Sequence, residues 1–413
     1  MLIDSLGLRR EIQYAKGWAI AFAYRLSSYK KRLIYFYYET ITRAAAAANV
    51  RVIEIFAVDR IGHLLMECDT TIKQADLGQI PSRRWVVLHQ NNLANPAVPC
   101  ILGRRITFIG GLLGKHLSPL SRHRLLIHPT SHYVLAMNKT AMCCEVNAQW
   151  GNRKPIARLP PRWQASGQND LEDLGIPPHA AFVCMHARDG LYSPDDESYH
   201  SLRNHSFSDY GDTIEYLYLN GIYSIYMGHP GMAKAPSQPG LIDYAHHPCR
   251  AGWMDLYLAG NCLMFVSGSS GAYNMASIFD RPVVCVNMCL PFSFSPTGSS
   301  NQIGIPKLFR RRSTGELVRF DEILSNGAAD ARNSPDFLEG GDYADYELIN
   351  NTPTEIKEVV EECMLRQDGH WEETAEDQAL QQSLHKQLRP GNYSYGTASR
   401  CGALFLRRYR SLL

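Results

Sequence analysis

Three side chains able to hold or move charge, His186, Arg188 and Asp189, fall within four positions of one another at the end of an apolar run, AAFVCMH (180–186). A guanidinium just past a buried strand suits bidentate recognition of phosphate oxygens, and the neighbouring imidazole and carboxylate are proton-transfer groups. A second such place is Ser267-Gly268-Ser269-Ser270-Gly271, which follows the run LMFV (263–266) and offers hydroxyls and backbone N–H groups with no bulky side chain. If this loop opens a helix from Ala272, the unpaired donors and positive end of that helix suit a diphosphate. Its spacing is neither a Walker loop nor the G-x-G-x-x-G fingerprint, which argues against triphosphate hydrolysis and hydride transfer. The plainer alternative is a tight strand-to-helix turn that needs small residues, with His186 satisfied by a backbone partner and Arg188 and Asp189 paired on the surface.

Further candidates line the same predicted edge. Gly228 follows the run IYSIYM (222–227), Asn287 follows PVVCV (282–286), and Arg203 and Lys234 are additional cations for a phosphate. In the first half, Arg60, Gly62 and His63 form a turn-like stretch close to Glu67 and Asp69. A group that takes a proton from an attacking hydroxyl would come from Asp189, Glu67, Asp69, His63 or His186. His246-His247-x-Cys249 lacks a second ligand pair at metal-binding spacing, so no metal is expected.

The elements that must position these groups read as two α/β domains. Runs at 51–58, 85–89, 105–109 and 124–128 suggest strands of a first domain over 49–165. Pro, Gly, Asn and Asp crowd 151–180 and mark the boundary. A second domain over 166–330 alternates strands with helices at 209–220 and 251–259, the rhythm of a parallel sheet. Ligands of such sheets bind beyond the carboxyl ends of the strands, where the candidate loops fall. Residues 1–48 read as an N-terminal helical segment, and 331–413 as a helical tail with helices at 354–366 and 372–388.

Composition narrows the class. The chain has 413 residues, 45% hydrophobic and 20% charged, more than one core usually supports. A net charge of +2 gives no reason to expect a nucleic-acid partner. Eleven cysteines without a C-x-x-C fit reduced thiols, and no run is long and apolar enough to span a bilayer, so a cytoplasmic protein is expected. Residues 1–43 carry eight Lys or Arg against three acids, interleaved with an apolar stripe. Such a helix allows peripheral contact with the inner face of the cytoplasmic membrane, although most amphipathic helices simply pack on their own domain.

With these residues in view, the second half resembles a family of glycosyltransferases encoded in bacterial surface-polysaccharide clusters, similar to the GT-B class. The matching stretches are CMHARDGLY (184–192), RNHSFSDYGDTIEYL (203–217), GIYSIYMGHPGMAK (221–234), IDYA (242–245), WMDLYLAGNCLMFVSGSSGAYNMASIFDRPVVCVN (253–287) and IPKL (305–308). In the first half the resemblance extends to Arg60-Ile-Gly-His63 and Glu67-x-Asp69. It implies two Rossmann-like domains facing across a cleft, with a nucleotide-sugar donor on the C-terminal domain and a glycan or lipid-linked acceptor approaching from the N-terminal one. The H-x-R element also resembles that of GT-B fucosyltransferases, which implies that Arg188 contacts the donor diphosphate. No cofactor is implied. The rival readings are a different nucleotide-sugar-processing enzyme and a non-catalytic nucleotide- or sugar-binding scaffold.

Overall fold

A computed structural model describes residues 29–413 apart from 56, 91, 130–139, 192–193, 290–298, 332–333, 391 and 393. The part of the expected N-terminal helical segment before residue 29 and Tyr192 of the CMHARDGLY stretch lie outside the described residues. The chain divides into two compact units: 1–55, 81–92 and 104–130 form unit 1, and 56–80, 93–103 and 131–413 form unit 2.

Unit 1 is built on four parallel strands, β1 (Val50–Glu54), β2 (Arg84–Leu88), β3 (Ile106–Ile109) and β4 (Ile127–Pro129), in the order β3-β2-β1-β4. The β-branched residues of β1 suit its central position, paired on both sides. Helix α1 (Tyr29–Ala47) turns Tyr38, Ile41 and Ala45, spaced three and four apart, with Ala46 beside them, onto Val52, Leu120 and Leu126.

Unit 2 holds helices α2 (Ile61–Asp76), α3 (Thr140–Trp150) and α4 (Pro161–Asp173), then strands β5 (Ala181–His186), β6 (Ile222–Tyr226), β7 (Leu241–Ile242), β8 (Phe265–Ser267), β9 (Val283–Met288) and β10 (Gln302–Pro306). Helices α5 (Gly211–Leu219) and α6 (Gly252–Asn261) interleave with them. The seven-stranded parallel sheet runs β13-β10-β9-β8-β5-β6-β7, where β13 is Arg400–Cys401. The chain thus steps outward from β5 through β6 and β7, then reverses and steps the other way from β8. That is the doubly wound pattern, whose switch point lies between β5 and β8. Strands β8, β9 and β10 are buried along their whole lengths, which explains their apolar runs.

Three sequence expectations need correction. Arg60–Leu64 is not a turn: Ile61 begins α2, whose Leu64, Leu65, Met66, Cys68 and Ile72 are buried. This helix packs on α3 and on the segment after Ser270, so 56–80 belongs with unit 2 although it follows β1 in the chain. The Pro- and Gly-rich 151–180 stretch lies wholly inside unit 2 and contains α4, started by Pro161 at its first turn. The C-terminal stretch is more than a helical tail. Strand β12 (Tyr346–Ile349) pairs antiparallel with β11 (Leu308–Arg311), and β13 completes the large sheet beside β10. Helices α7 (Pro353–Gln367) and α8 (Ala375–Gln387) each begin with a capping box, Thr352 with Glu355 and Thr374 with Asp377.

Candidate functional site

The switch point of the unit 2 sheet sets the site, because adjacent strands whose connections depart to opposite sides leave a crevice at their carboxyl ends. Beyond β5 stand His186, Ala187, Arg188 and Asp189; beyond β8 comes the Ser267–Gly271 loop. Each of these side chains is held by a specific partner. His186 is buried, and its Nδ1 donates to the Met227 carbonyl at 3.0 Å, an acceptor that fixes the proton on that nitrogen. Burial lowers its pKa, so the ring is neutral at pH 7. Asp189 ties two loops together, accepting from the Leu191 N–H at 3.1 Å and from the Ala233 N–H at 2.8 Å.

Arg188 lies under a strap formed by residues 200–205. Its guanidinium donates to the His200 carbonyl at 3.2 Å and to Asn204 Oδ1, with the Glu197 carboxylate 3.8 Å away. The strap is fixed at several further points. Ser334 Oγ accepts from Ser201 Oγ and the Leu202 N–H, and the His205 N–H donates to the Arg188 carbonyl. His205 Nε2 donates to Tyr210 Oη at 2.8 Å, and that hydroxyl donates to the His186 carbonyl. Arg203 sits at the centre of this fixed strap, half-buried and close enough to His63 to disfavour its protonation.

The Ser/Gly loop is shaped by close approach. A Cβ on Gly268 would fall 2.3 Å from the His205 ring, so only glycine lets that ring close over the loop. Ser269 Oγ accepts from the Cys289 N–H, and Ser270 Oγ caps the Ala272 N–H. The helix expected from Ala272 begins as a 3₁₀ turn, Gly271–Tyr273, and continues for four helical residues, Asn274–Ser277. So short a segment has little dipole. The sixteen-residue α2 has its N-terminus here, with Gly62 N at 3.1 Å and Gly62 Cα at 3.2 Å from where a Gly271 Cβ would lie. The helix end that faces the loop therefore comes from far upstream in the chain, and Arg60 at its N-cap makes no side-chain cap. His63, one turn in, has its pKa pushed down to about 4 by burial, then by Arg60 and Arg203.

The other candidates divide. Arg60, Gly62 and His63 lie at this helix end, whereas Glu67 and Asp69 point into the protein. Both acids are 1% exposed, and Asp69 pairs at 2.6 Å with Lys73, whose Nζ donates to Asn147 on α3. Asn287 is buried and exchanges two backbone-to-side-chain bonds of 2.6 Å with Asn351, joining the end of β9 to the C-terminal stretch. The Gly228 carbonyl accepts from Arg250 at 3.0 Å, and Lys234 is exposed.

Three further groups on this edge lie inside the matching stretches but were not among the candidate site residues. Lys307, just past β10, is 3% exposed and donates to the carbonyls of Leu202 and Asn204 at 2.8 and 3.1 Å. No carboxylate pairs with it among the described residues, and burial pulls its pKa down to about 8. His205 is pushed down to about 3 by burial, with Lys307 and His186 adding to the effect. Asp255, at the start of α6, accepts from Tyr244 Oη at 2.9 Å and is pushed up to about 6 by burial, against the pull of Arg250. The edge thus gathers Arg188, Arg203, Lys307 and a helix N-terminus, a donor set matched to a polyanion. Among the described residues no cluster of His, Cys, Asp and Glu is placed to hold a metal ion.

No protein-family model matches the chain, and no curated protein is significantly similar to it. Among solved structures, similarity is found to the iron-containing dodecameric glycosyltransferase TibC from enterotoxigenic E. coli, at 12% identity and a TM-score of 0.35, covering 60% of this chain and 59% of that one. A glycosyl transferase family 9 protein from Veillonella parvula matches at 10% identity and a TM-score of 0.31 over 57% of this chain and 66% of its own. The E. coli heptosyltransferase WaaC with ADP-2-deoxy-2-fluoro heptose matches at 13% identity and a TM-score of 0.30, over 58% and 88%. The chain therefore spans about three-fifths of the length of the first of these. Likenesses this distant leave function to be argued from the site.

Proposed function

We propose that this chain is a glycosyltransferase that binds a nucleotide-sugar donor at the carboxyl edge of the unit 2 sheet and transfers the sugar to a glycan or lipid-linked acceptor in surface-polysaccharide biosynthesis. The observation that carries the reading is the coincidence of the β5/β8 switch point with Arg188, the strap bearing Arg203, the Ser267–Gly271 loop and the N-terminus of α2. Breaking a sugar–phosphate bond leaves negative charge on the departing nucleoside diphosphate. Fixed donors aimed at that charge lower the barrier, and they act most strongly where water is scarce. Arg188 and Arg203 would supply that charge stabilisation here, with the loop hydroxyls orienting the phosphates, so the reaction needs no metal. The acceptor hydroxyl must lose a proton. Asp189, whose carboxylate joins the loops after β5 and β6, is the group proposed to take it, with Glu67, Asp69, His63 and His186 as the further candidates.

The test is a thermal-shift screen of the full chain against GDP, UDP, ADP, dTDP and CMP, with and without EDTA, on the wild type and on Arg188→Ala. Stabilisation by one nucleotide that survives EDTA and drops about tenfold in apparent affinity in the variant supports the site, a loss in line with one or two charge-assisted hydrogen bonds. Failure of every nucleotide to stabilise the wild type would sink it. Slow hydrolysis of the matching nucleotide sugar separates an enzyme from a scaffold that only binds.

A further inference from the structure

Unit 1 carries an apolar surface that no described residue covers. The first turns of α1 expose Leu33, Ile34, Tyr35, Phe36 and Tyr37 in succession, with Phe36 at 71%. Only from Tyr38 onward does one face turn into the core. The short helix Gly111–Leu117 lies alongside: Tyr37 Oη and His116 Nε2 are 3.0 Å apart, and Tyr38 Oη donates to the His116 carbonyl at 2.8 Å. On that second helix Leu112 is 89% exposed and Leu113 56%. Large aliphatic side chains on two touching helices are a costly arrangement in water unless something covers them.

The surrounding charge says what the cover is. Residues 104–130 contain Arg104, Arg105, Lys115, Arg122 and Arg124 and no acid. Across 29–55, 81–92 and 104–130 the acids are Glu39 and Glu54, against twelve Lys or Arg, in a chain whose net charge is only +2. Glu39 is itself engaged by Arg43 and His123. A second copy of this surface would meet it with like charge. Residues 1–28 are basic as well and complement it no better. Nucleic acid would satisfy the cations but leave the leucines in water. An anionic bilayer satisfies both, because aliphatic side chains enter the acyl boundary while Lys and Arg stay among the headgroups. No described helix is long and apolar enough to cross a membrane, so the mode is surface docking.

We propose that unit 1 docks onto anionic lipid surfaces through Leu33–Tyr37 of α1 together with Leu112 and Leu113. This goes beyond the transferase reading and does not depend on it.

Co-sedimentation of the full chain with vesicles of phosphatidylcholine, with or without phosphatidylglycerol, tests it. The wild type is expected to sediment with the phosphatidylglycerol vesicles and to be released by salt. Leu112→Ser combined with Leu113→Ser, and separately Leu33→Ser combined with Phe36→Ser, should each weaken binding on the order of tenfold or more, given the apolar area withdrawn. Lys115→Glu combined with Arg124→Glu should weaken it through charge alone, by a similar factor. All six positions are exposed, and unchanged melting curves will show that the variants fold. Absence of vesicle binding by the wild type overturns the proposal. So does binding that survives both serine pairs, which would place the contact elsewhere in the chain, or a dimer that the serine pairs dissolve without any vesicle binding.

Discussion

Asp255 and Lys307 are the two groups whose ionisation the fold disturbs most usefully. Burial raises Asp255 to about 6 from the usual 3.8. The folded state therefore holds this proton more tightly than the unfolded one, and the associated stability is complete at low pH and lost as pH rises from about 4 to 6. Asp255→Asn keeps an acceptor for Tyr244 Oη and has no such slope. Above pH 6 it should exceed the wild type by about 1–3 kcal/mol, a few degrees in melting temperature; identical pH curves for the two proteins would refute the burial argument. Lys307 has the opposite displacement, down to about 8 from 10.5. Its loss of a proton turns the bonds to Leu202 and Asn204 from charge-assisted to neutral, and neutral bonds are about half as strong. Nucleotide affinity is expected to fall as pH passes 8 in the wild type. In Lys307→Met it should already be about tenfold weaker at pH 7 and flat thereafter, as calorimetric titration would show.

At the scale of elements, the contact between α2 and the Ser/Gly loop is the most exacting. A Cβ on Gly271 meets the backbone of Gly62 at 3.1 Å, and a helix backbone yields less easily than a side chain. Gly271→Ala should cost little more than about 1 kcal/mol, while Gly271→Val should cost about 2–3 kcal/mol and weaken nucleotide binding by displacing α2. Denaturant titration of both variants checks the order, and equal stabilities would show that the contact is loose. This contact also explains what could be read beforehand. Strands β5, β6, β8 and β9 were legible because strands buried on both faces read as unbroken apolar runs, which give way to His186 in β5, Gly228 after β6, Ser267 in β8 and Asn287 near the end of β9. Helix α2 was not, since Gly62 looks like a turn residue until Gly271, more than two hundred positions away, is placed against it. Lys307 falls within the matching stretch IPKL, but nothing in its type or spacing marks it as a buried cation until the strap carbonyls of Leu202 and Asn204 are placed against it. Strand β13, only Arg400–Cys401, is too short to stand out from loop, and β12, YELI, is four residues set between polar loop residues.

For the molecule as a whole, the last twenty-five residues are structural. Strand β13 covers the outer edge of β10, Phe405 and Leu406 are buried, and Arg407 forms two hydrogen bonds of 2.6 Å with the capping carboxylate Asp377. That pair, with the cap itself, holds Asp377 down at about 2 despite the opposing effect of burial. A chain ending at Leu388 would bare an apolar strand edge and is expected to aggregate, visible by size-exclusion chromatography; a monomer with a cooperative melt would contradict this. The excursion of 56–80 into unit 2 has its own cost during synthesis. The contacts that α2 makes after Ser270 involve residues made roughly two hundred codons later, on the order of ten to forty seconds at ordinary elongation rates. Throughout that interval Leu64, Leu65, Met66 and Ile72 emerge from the ribosome without their final cover, so the nascent chain offers a chaperone a hydrophobic segment well before unit 2 can claim it.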